Sequence, residues 1–120
     1  MTRDEIVAFF TRRQEAIENR DADTLAAGHA DDSIVESLMA GTVSGRAAIA
    51  EVYRAWFKAF PDVLMTMDDL IVDGNRAVVV HGVIGTDTGG FMGLPPTGRP
   101  FRVTIIHLYV MSDGAIQHER

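Results

Sequence analysis

The sequence predicts an α+β fold in which one face of a curved antiparallel sheet packs against helices. Apolar residues recur at helical spacing only within residues 1–60, whereas the residues after them alternate between apolar and polar and are interrupted by turn signals. Helices and strands are therefore largely grouped, with one strand between the second and third helices. The regular β-α-β alternation of a dinucleotide-binding fold is absent.

Three helices are predicted in the first half of the chain. Thr2-Arg3-Asp4-Glu5 has the spacing of a capping box, and the helix that begins there has an apolar stripe, with Arg13 among the charged residues of its other face. We expect Asp23 to cap a short second helix over residues 24–30. The third helix, within residues 44–60, begins at a Ser-Gly cap, has the most regular apolar spacing and is ended by a proline.

Five strands are expected from runs of apolar and β-branched residues bounded by turn signals. They comprise residues 33–39, 63–72, 77–86, 101–111 and 115–120. The last four form an antiparallel meander, with Asp-Gly turns at residues 73–74 and 113–114. Asp68-Asp69 interrupts the alternation of its strand and predicts a bulge. Residues 88–100 contain four glycines and three prolines and are predicted to be a loop.

The composition is that of one globular domain spanning residues 1–120. Of its 120 residues, 47% are hydrophobic, 23% are charged and none is cysteine, which excludes thiol catalysis, cysteine-bound metals and disulfides. The formal charge of −6, with dispersed basic residues, disfavours nucleic acid or an anionic membrane as a partner. We recognise no signal peptide and no membrane-spanning run, and therefore expect a soluble, cytoplasmic protein.

Histidine provides the first candidates for chemistry. No two of the four histidines have a metal-binding spacing, so no metal site is predicted. His81, His107 and His118 lie on predicted strands in phase with apolar neighbours and should face inward. His29, at the end of the second helix, should either pack there or help to end that helix. Each inward histidine is either a core residue with satisfied hydrogen bonds or a general acid or base that titrates near neutral pH.

Carboxylates provide the second candidates. Glu36 is flanked by apolar residues on the first predicted strand, where it either points inward or faces solvent at a sheet edge. Glu119 alternates away from Ile116 and His118 on the last strand, which predicts a solvated side chain.

Methionine and aromatic residues are more numerous than a small core demands, which is compatible with a pocket for a flat, apolar ligand. The alternative is that they simply fill the core. Apolar residues on the loop should cover a pocket mouth or a partner subunit. The residues predicted to line the pocket are Trp56, Phe60, Met65, Met67, Val83, Phe91, Met92, Leu94, Tyr109 and His118.

The loop also carries a family resemblance. Residues 86–100 read T-D-T-G-G-F-M-G-L-P-P-T-G-R-P and closely resemble the T-H-T-G-E-F-M-G-x-P-P-T-G-K/R segment of SnoaL-like polyketide cyclases, which belong to the nuclear transport factor 2-like superfamily. The likeness extends to the step into the first strand at residues 29–34, to G-R-A-A-I at 45–49 and to D-G-A-I at 113–116. The resemblance implies a curved sheet folded around three helices and enclosing a cone-shaped, mostly apolar cavity.

The resemblance also implies a function, that of a cyclase or a related lyase or isomerase. In the family, a general acid/base takes a proton from an activated carbon of a polyketide ester without a cofactor, and an intramolecular aldol closure follows. His107 best matches the family's inner-strand histidine, so we expect it to polarise or protonate a carbonyl oxygen with the assistance of His81. The expected ligand is a small hydrophobic molecule, and the expected assembly is a homodimer.

Three departures from the family pattern leave alternatives open. Asp87 and Gly90 replace a histidine and a glutamate of the loop motif, and the family's last-strand aspartate falls past Arg120, so we expect this domain to lack that strand's end. One alternative is a non-catalytic carrier that uses the same cone. Another is an epoxide hydrolase or dehydratase that uses Asp87 with Arg99 or Arg102.

Overall fold

A computed structural model describes residues 1–37, 40–90 and 94–120. The helices in this part of the chain are α1 (Arg3–Glu18), α2 (Ala22–Ala27) and α3 (Arg46–Ala59). The strands are β1 (His29–Ser37), β2 (Gly41–Ser44), β3 (Leu64–Asp73), β4 (Arg76–Thr86), β5 (Pro100–Ser112) and β6 (Ala115–Glu119). The α+β fold class predicted from the sequence is confirmed.

The strands form one curved, open sheet in the order β2-β1-β6-β5-β4-β3. The antiparallel meander from β3 to β6 is confirmed, and so is the bulge near Asp68, where the β3–β4 register shifts between Met67 and Asp69. β1 pairs with β6 in parallel and with β2 in the antiparallel sense. The parallel pairing brings the beginning of β1 beside the last strand of the chain.

The helices cover one face of this sheet. Ile6 and Phe10 of α1 pack with Val79 of β4 and Tyr109 of β5 in one buried cluster, and Ile49 of α3 belongs to a second cluster. On β4, every second residue from position 77 to position 83 is buried, because alternate side chains of a strand point to the same face. That inner face positions the candidate site.

The helix boundaries depart from expectation at two caps. The capping box of α1 is confirmed, since the backbone N–H of Glu5 donates to the hydroxyl of Thr2. Asp21, not Asp23, caps α2, because its carboxylate accepts hydrogen bonds from the N–H and hydroxyl of Thr24 at 3.0 and 2.6 Å. α3 begins after Gly45 without any side-chain cap. None of the helices in these described ranges is long and apolar enough to cross a bilayer.

The strands also differ from the prediction in two respects. β1 begins at His29, four residues earlier than expected, because its first half is tied to β6 although its sequence contains two exposed aspartates. β2 was not expected, since a strand of four residues is too short to show alternation. Residue 39, placed on the first strand from its sequence, lies outside the described residues.

Candidate active site

A cavity of about 470 Å³, the chamber, lies between the helices and the inner face of the sheet. Its surface is mainly apolar and is formed by Ile17, Leu25, Val35, Ile49, Val52, Trp56, Met65, Ile105 and Ile106. Polar groups also line it, namely Arg13, Tyr53, His81, His107, Tyr109 and Glu119, together with Glu36, Ser37 and Arg120. An apolar pocket of this size with a few convergent polar groups is typical of small-molecule sites.

Five of the residues predicted for the site line the chamber: His81, His107, Trp56, Met65 and Tyr109. His81 lies on β4, His107 and Tyr109 on β5, Met65 on β3 and Trp56 on α3. The side chains of His81, His107 and Tyr109 share the inner face of the sheet because their positions are in phase on paired strands.

Other predicted pocket residues do not line the chamber. The ring of Phe60 packs edge-on against Trp56 and Phe101, with centroid distances of 4.7 and 5.1 Å. Met67 packs against the core under α1, and Val83 is completely buried in the same inner face. None of these three side chains is among the residues that line the chamber.

The loop residues give a different outcome. Leu94 is 59% exposed and is not part of the chamber wall, because the chain there runs along the surface. Phe91 and Met92 lie outside the described residues.

A bulge in β6 reverses two expectations about the last strand. The β5–β6 ladder slips by one residue between Ile116 and His118, which makes Gln117 the extra residue. Such a slip exchanges the two faces of a strand, so Glu119 is only 6% exposed and lines the chamber. His118 is not in the chamber wall; its Nε2 lies 2.7 Å from Oε2 of Glu36, and both side chains are partly exposed. The predictions of a solvated Glu119 and an inward His118 were therefore wrong.

Arg13 was also misplaced by the sequence reasoning. It was assigned to the charged face of α1, but it is only 8% exposed. Ile6, Phe10 and Ile17 are buried on the same helix, and residue 13 continues their i, i+3, i+4 spacing. That spacing is the signal that could have identified Arg13 as an inward-facing cation.

The buried guanidinium organises a network between α1, α3 and β6. Arg13 Nη2 lies 3.4 Å from Glu119 Oε1 and donates to the hydroxyl of Tyr53, which in turn lies 3.4 Å from the same Oε1. The guanidinium carbon is 5.4 Å from the ring centroids of both Tyr53 and Tyr109. One carboxylate and two aromatic rings therefore compensate a charge that would otherwise be costly to bury.

His29 packs into this network, which is one of the two roles expected for it, and it lies at the start of β1 instead of on α2. It is completely buried at the start of β1, with Nδ1 3.2 Å from the hydroxyl of Ser33 and Nε2 3.2 Å from the hydroxyl of Tyr53. Burial, and secondarily Arg13, lowers the pKa of His29 to about 3. Because both ring nitrogens have protein partners, this histidine holds Tyr53 in place and does not reach the chamber.

His81 and His107 form a second polar group on the sheet. Their ring centroids are 5.7 Å apart in an edge-to-face arrangement. His81 Nδ1 lies 3.3 Å from the carbonyl oxygen of Thr66, and His107 Nδ1 lies 3.3 Å from the hydroxyl of Tyr109. Neither Nε2 has a hydrogen-bond partner among the described residues. The buried atoms without a partner in this part of the chain are Arg13 Nε and Gln14 Oε1, so both Nε2 atoms retain accessible surface. Each imidazole therefore keeps one nitrogen available to the chamber.

Burial sets the protonation of these groups. It lowers the pKa of His81 to about 4, helped by the neighbouring His107, and it lowers the pKa of His107 to about 4, helped by Arg13. Burial also raises the pKa of Glu119, against the opposing effect of Arg13. At neutral pH the two histidines are accordingly neutral, as a base or a hydrogen-bond donor inside an apolar cavity must be.

Asp87 does not form the inward carboxylate–arginine pair that one alternative requires. Its Oδ2 accepts hydrogen bonds from the backbone N–H and the hydroxyl of Thr97, at 3.0 and 3.1 Å. Asp87, Arg99 and Arg102 are all absent from the residues that line the chamber. Arg102 instead lines a groove of about 530 Å³ at the ends of β3, β4 and β5, which contains no histidine among its described residues.

Solved structures place the fold among nuclear transport factor 2-like proteins. A protein of that class from Burkholderia pseudomallei is 18% identical and superposes with a TM-score of 0.81 over 99% of this chain and 88% of its own. A candidate SnoaL-like polyketide cyclase from Jannaschia sp. CCS1 is 19% identical, with a TM-score of 0.84 over 98% of this chain and 83% of its own. These likenesses establish the fold.

The sequence identifies the family within that fold class. The family model of SnoaL-like polyketide cyclases matches residues 8–120, so the chain belongs to the SnoaL-like polyketide cyclase family. IdmH of Streptomyces antibioticus, a candidate polyketide cyclase, is 27% identical, with a TM-score of 0.75 over 94% of this chain and 87% of its own. No curated protein matches the sequence significantly. These findings support a cyclase-type function at the level of the family.

Proposed function

We propose that the protein closes a ring in a small, apolar carbonyl compound by cofactor-independent general acid–base chemistry, with His81 and His107 as the groups that contact the reacting atoms. The observation that carries this proposal is the pair of neutral imidazoles, 5.7 Å apart, each with an Nε2 left open to the chamber. Family membership supports the ring-closing outcome, and the geometry supports the roles of the residues.

His81 is suited to accept a proton. A carbonyl oxygen can only accept a hydrogen bond, so the nitrogen of His81 that faces the carbonyl of Thr66 must carry the ring proton. The lone pair of the neutral ring then resides on Nε2, on the chamber side. With a pKa of about 4, this lone pair is free at neutral pH, and the imidazolium formed by proton uptake is a strong enough acid to return the proton.

His107 is suited to donate. We assign the tautomer in which the hydroxyl of Tyr109, 3.3 Å away, donates its single phenolic proton to His107 Nδ1. This arrangement puts the ring proton of His107 on Nε2. An N–H in an apolar wall is positioned to stabilise the negative charge that develops on a carbonyl oxygen.

The proposed reaction balances without any added reagent. His81 Nε2 takes a proton from the carbon next to a carbonyl group, and the resulting enolate oxygen is held by the His107 N–H. The enolate carbon attacks a second carbonyl of the same molecule, so that a C–C bond forms while the C=O π bond breaks. The new alkoxide takes the proton back from His81, which regenerates the neutral ring.

The proton-abstraction step can be tested without knowing the natural substrate. We expect the protein to accelerate exchange of the α-hydrogens of 2-tetralone, a flat bicyclic ketone, for deuterium in D₂O, followed by proton NMR at pH 7.5. His81→Gln and His107→Gln should each slow the catalysed exchange by about 10²-fold or more, the usual contribution of a positioned acid or base.

His118→Gln is the matched control, because it removes an imidazole that does not line the chamber. It should leave the exchange rate unchanged. If both chamber variants exchange as fast as the unaltered protein, the roles of the two histidines are lost. Binding of 2-tetralone without any accelerated exchange would instead favour a carrier.

A further inference from the structure

We propose that Glu119 Oε2 is a binding site for a hydroxyl group, so that the ligand of the chamber carries a phenolic or enolic O–H beside its reacting carbonyl. The inference rests on the proposed function only in treating the chamber as the substrate site. It does not depend on which histidine moves the proton.

The two oxygens of Glu119 are used very differently. Oε1 lies 3.4 Å from Arg13 Nη2, 3.4 Å from the hydroxyl of Tyr53 and 3.7 Å from His29 Nε2. Oε2 has no partner in the described part of the chain, yet it is not one of the solvent-excluded unpartnered atoms there. Since Glu119 is otherwise buried and lines the chamber, the accessible surface of this oxygen faces the cavity.

The carboxylate is also fixed in position. The backbone of Glu119 pairs with Tyr109 of β5, and two further backbone hydrogen bonds join Arg120 to Leu108, at 2.7 and 3.0 Å. The side chain is held by the contacts of Oε1 with Arg13 and Tyr53. The orientation of Oε2 is therefore set by the protein before a ligand binds.

The need of a buried acceptor for a hydrogen-bond donor determines which ligand group Oε2 prefers. A ligand that fills an apolar chamber displaces water from Oε2, and an acceptor left buried without a donor costs free energy. A hydroxyl supplies a donor at that point, whereas an ether or a ketone brings only another acceptor. The ionic character of the carboxylate strengthens the hydrogen bond and widens this preference.

The subsite lies close to the histidine pair. Glu119 is directly across from Tyr109 in the sheet, and His107 is two residues away from Tyr109 on the same face of β5. Two residues along a strand span roughly 7 Å, about the width of a fused ring system. A single flat molecule can therefore place its hydroxyl at Glu119 and its carbonyl at the histidines.

The test compares two ligands of one shape by titration calorimetry at pH 7.5: 2-naphthol, which has a hydroxyl, and 2-methoxynaphthalene, which has a methyl ether. The unaltered protein should bind 2-naphthol at least about tenfold more tightly, as expected for a hydrogen bond to a charged group. Equal affinities, a preference for the ether, or no binding of either compound would overturn the proposal.

Glu119→Gln assigns the preference to this residue. Its amide oxygen can still accept from Arg13 and Tyr53, but its NH₂ turns the open acceptor into a donor, so the preference for 2-naphthol should disappear or reverse. Glu15→Gln is the matched control, because Glu15 is exposed on α1 and is not among the residues that line the chamber, and it should retain the preference. If Glu119→Gln kept the full preference, the assignment would be wrong; if that variant did not fold, the comparison of the two ligands in the unaltered protein would decide.

The outcome is separate from that of the proposed function, because binding is measured without turnover. A preference for 2-naphthol combined with no accelerated exchange of 2-tetralone would retain the hydroxyl subsite and remove the catalytic proposal. Accelerated exchange without the preference would do the opposite.

Discussion

The chamber contains two polar groups that use their hydrogen-bonding capacity in opposite ways. Around Arg13, the hydroxyl of Tyr53 and Oε1 of Glu119 contact one another and His29. Most of their hydrogen-bonding positions are therefore occupied by other protein groups. In the histidine pair, only Nδ1 of each ring has a hydrogen-bond partner among the described residues. The difference separates a buried polar network that joins helices to the sheet from groups that remain available to a ligand.

Glu119 combines both kinds of behaviour in one side chain, and this makes the comparison informative. Its Oε1 is part of the network, whereas its Oε2 remains open to the chamber. A change to the network should therefore affect stability first, and a change to the open atoms should affect ligand binding or turnover first.

The largest effect is expected from breaking the buried ion pair. Arg13→Met leaves the Glu119 carboxylate buried without its cation and should lower the free energy of unfolding by about 3–5 kcal/mol, measured by urea denaturation. Arg12→Met is the matched control, since Arg12 is exposed on the same helix, and it should change the value by less than about 0.5 kcal/mol.

A second variant sharpens this result. In Arg13→Met/Glu119→Met, both charges are replaced by apolar side chains of similar size, and most of the lost stability should return, because desolvation of the ion pair is no longer required. If the single Arg13 variant were as stable as the control, Arg13 would not be the centre of a stabilising network.

The same comparison explains which site residues could be placed correctly from the sequence. His81 and His107 could be placed inward because the apolar alternation of β4 and β5 is unbroken around them. Glu119 could not, since the bulge at Gln117 reverses the faces of β6 and leaves no mark in the hydrophobic pattern. Arg13 could have been found from its position in the apolar stripe of α1, but a charged residue there is normally assigned to the solvent face.

The networks themselves lie beyond sequence reasoning. The contact of Arg13 with Tyr53 and Glu119 joins residues 40 and 106 positions apart, and such contacts depend on how α1, α3 and β6 pack. The parallel pairing of β1 with β6, which brings His29 near Glu119, likewise follows from the topology. The fold class was accessible because periodicity and turn signals are local.

The next effect is a dependence of stability on pH between about 6.5 and 4. His29, His81 and His107 have folded-state pKa values of about 3 to 4, below the ordinary value of about 6.5. In this window the unfolded chain binds more protons than the folded protein, so stability should fall as the pH is lowered. The raised pKa of Glu119 acts in the opposite direction.

Urea denaturation at several pH values measures this slope, which can reach about 1.4 kcal/mol per pH unit for each histidine. His81→Gln and His107→Gln should each reduce it. A slope that is unaffected by either chamber variant would mean that these histidines are protonated as readily in the folded protein as in the unfolded chain.

The smallest effect is expected at the surface pair of Glu36 and His118. Their side-chain atoms are 2.7 Å apart, but 47% and 32% of the respective side chains are exposed, and water therefore weakens the interaction. Glu36→Gln should change the free energy of unfolding by less than about 1 kcal/mol, in contrast to the variant that breaks the buried pair of Arg13. If urea denaturation showed comparable losses of unfolding free energy for the two pairs, burial would not be what makes the Arg13 network stabilising. The distinction between polar groups that stabilise the fold and those available to a ligand would then not follow from burial.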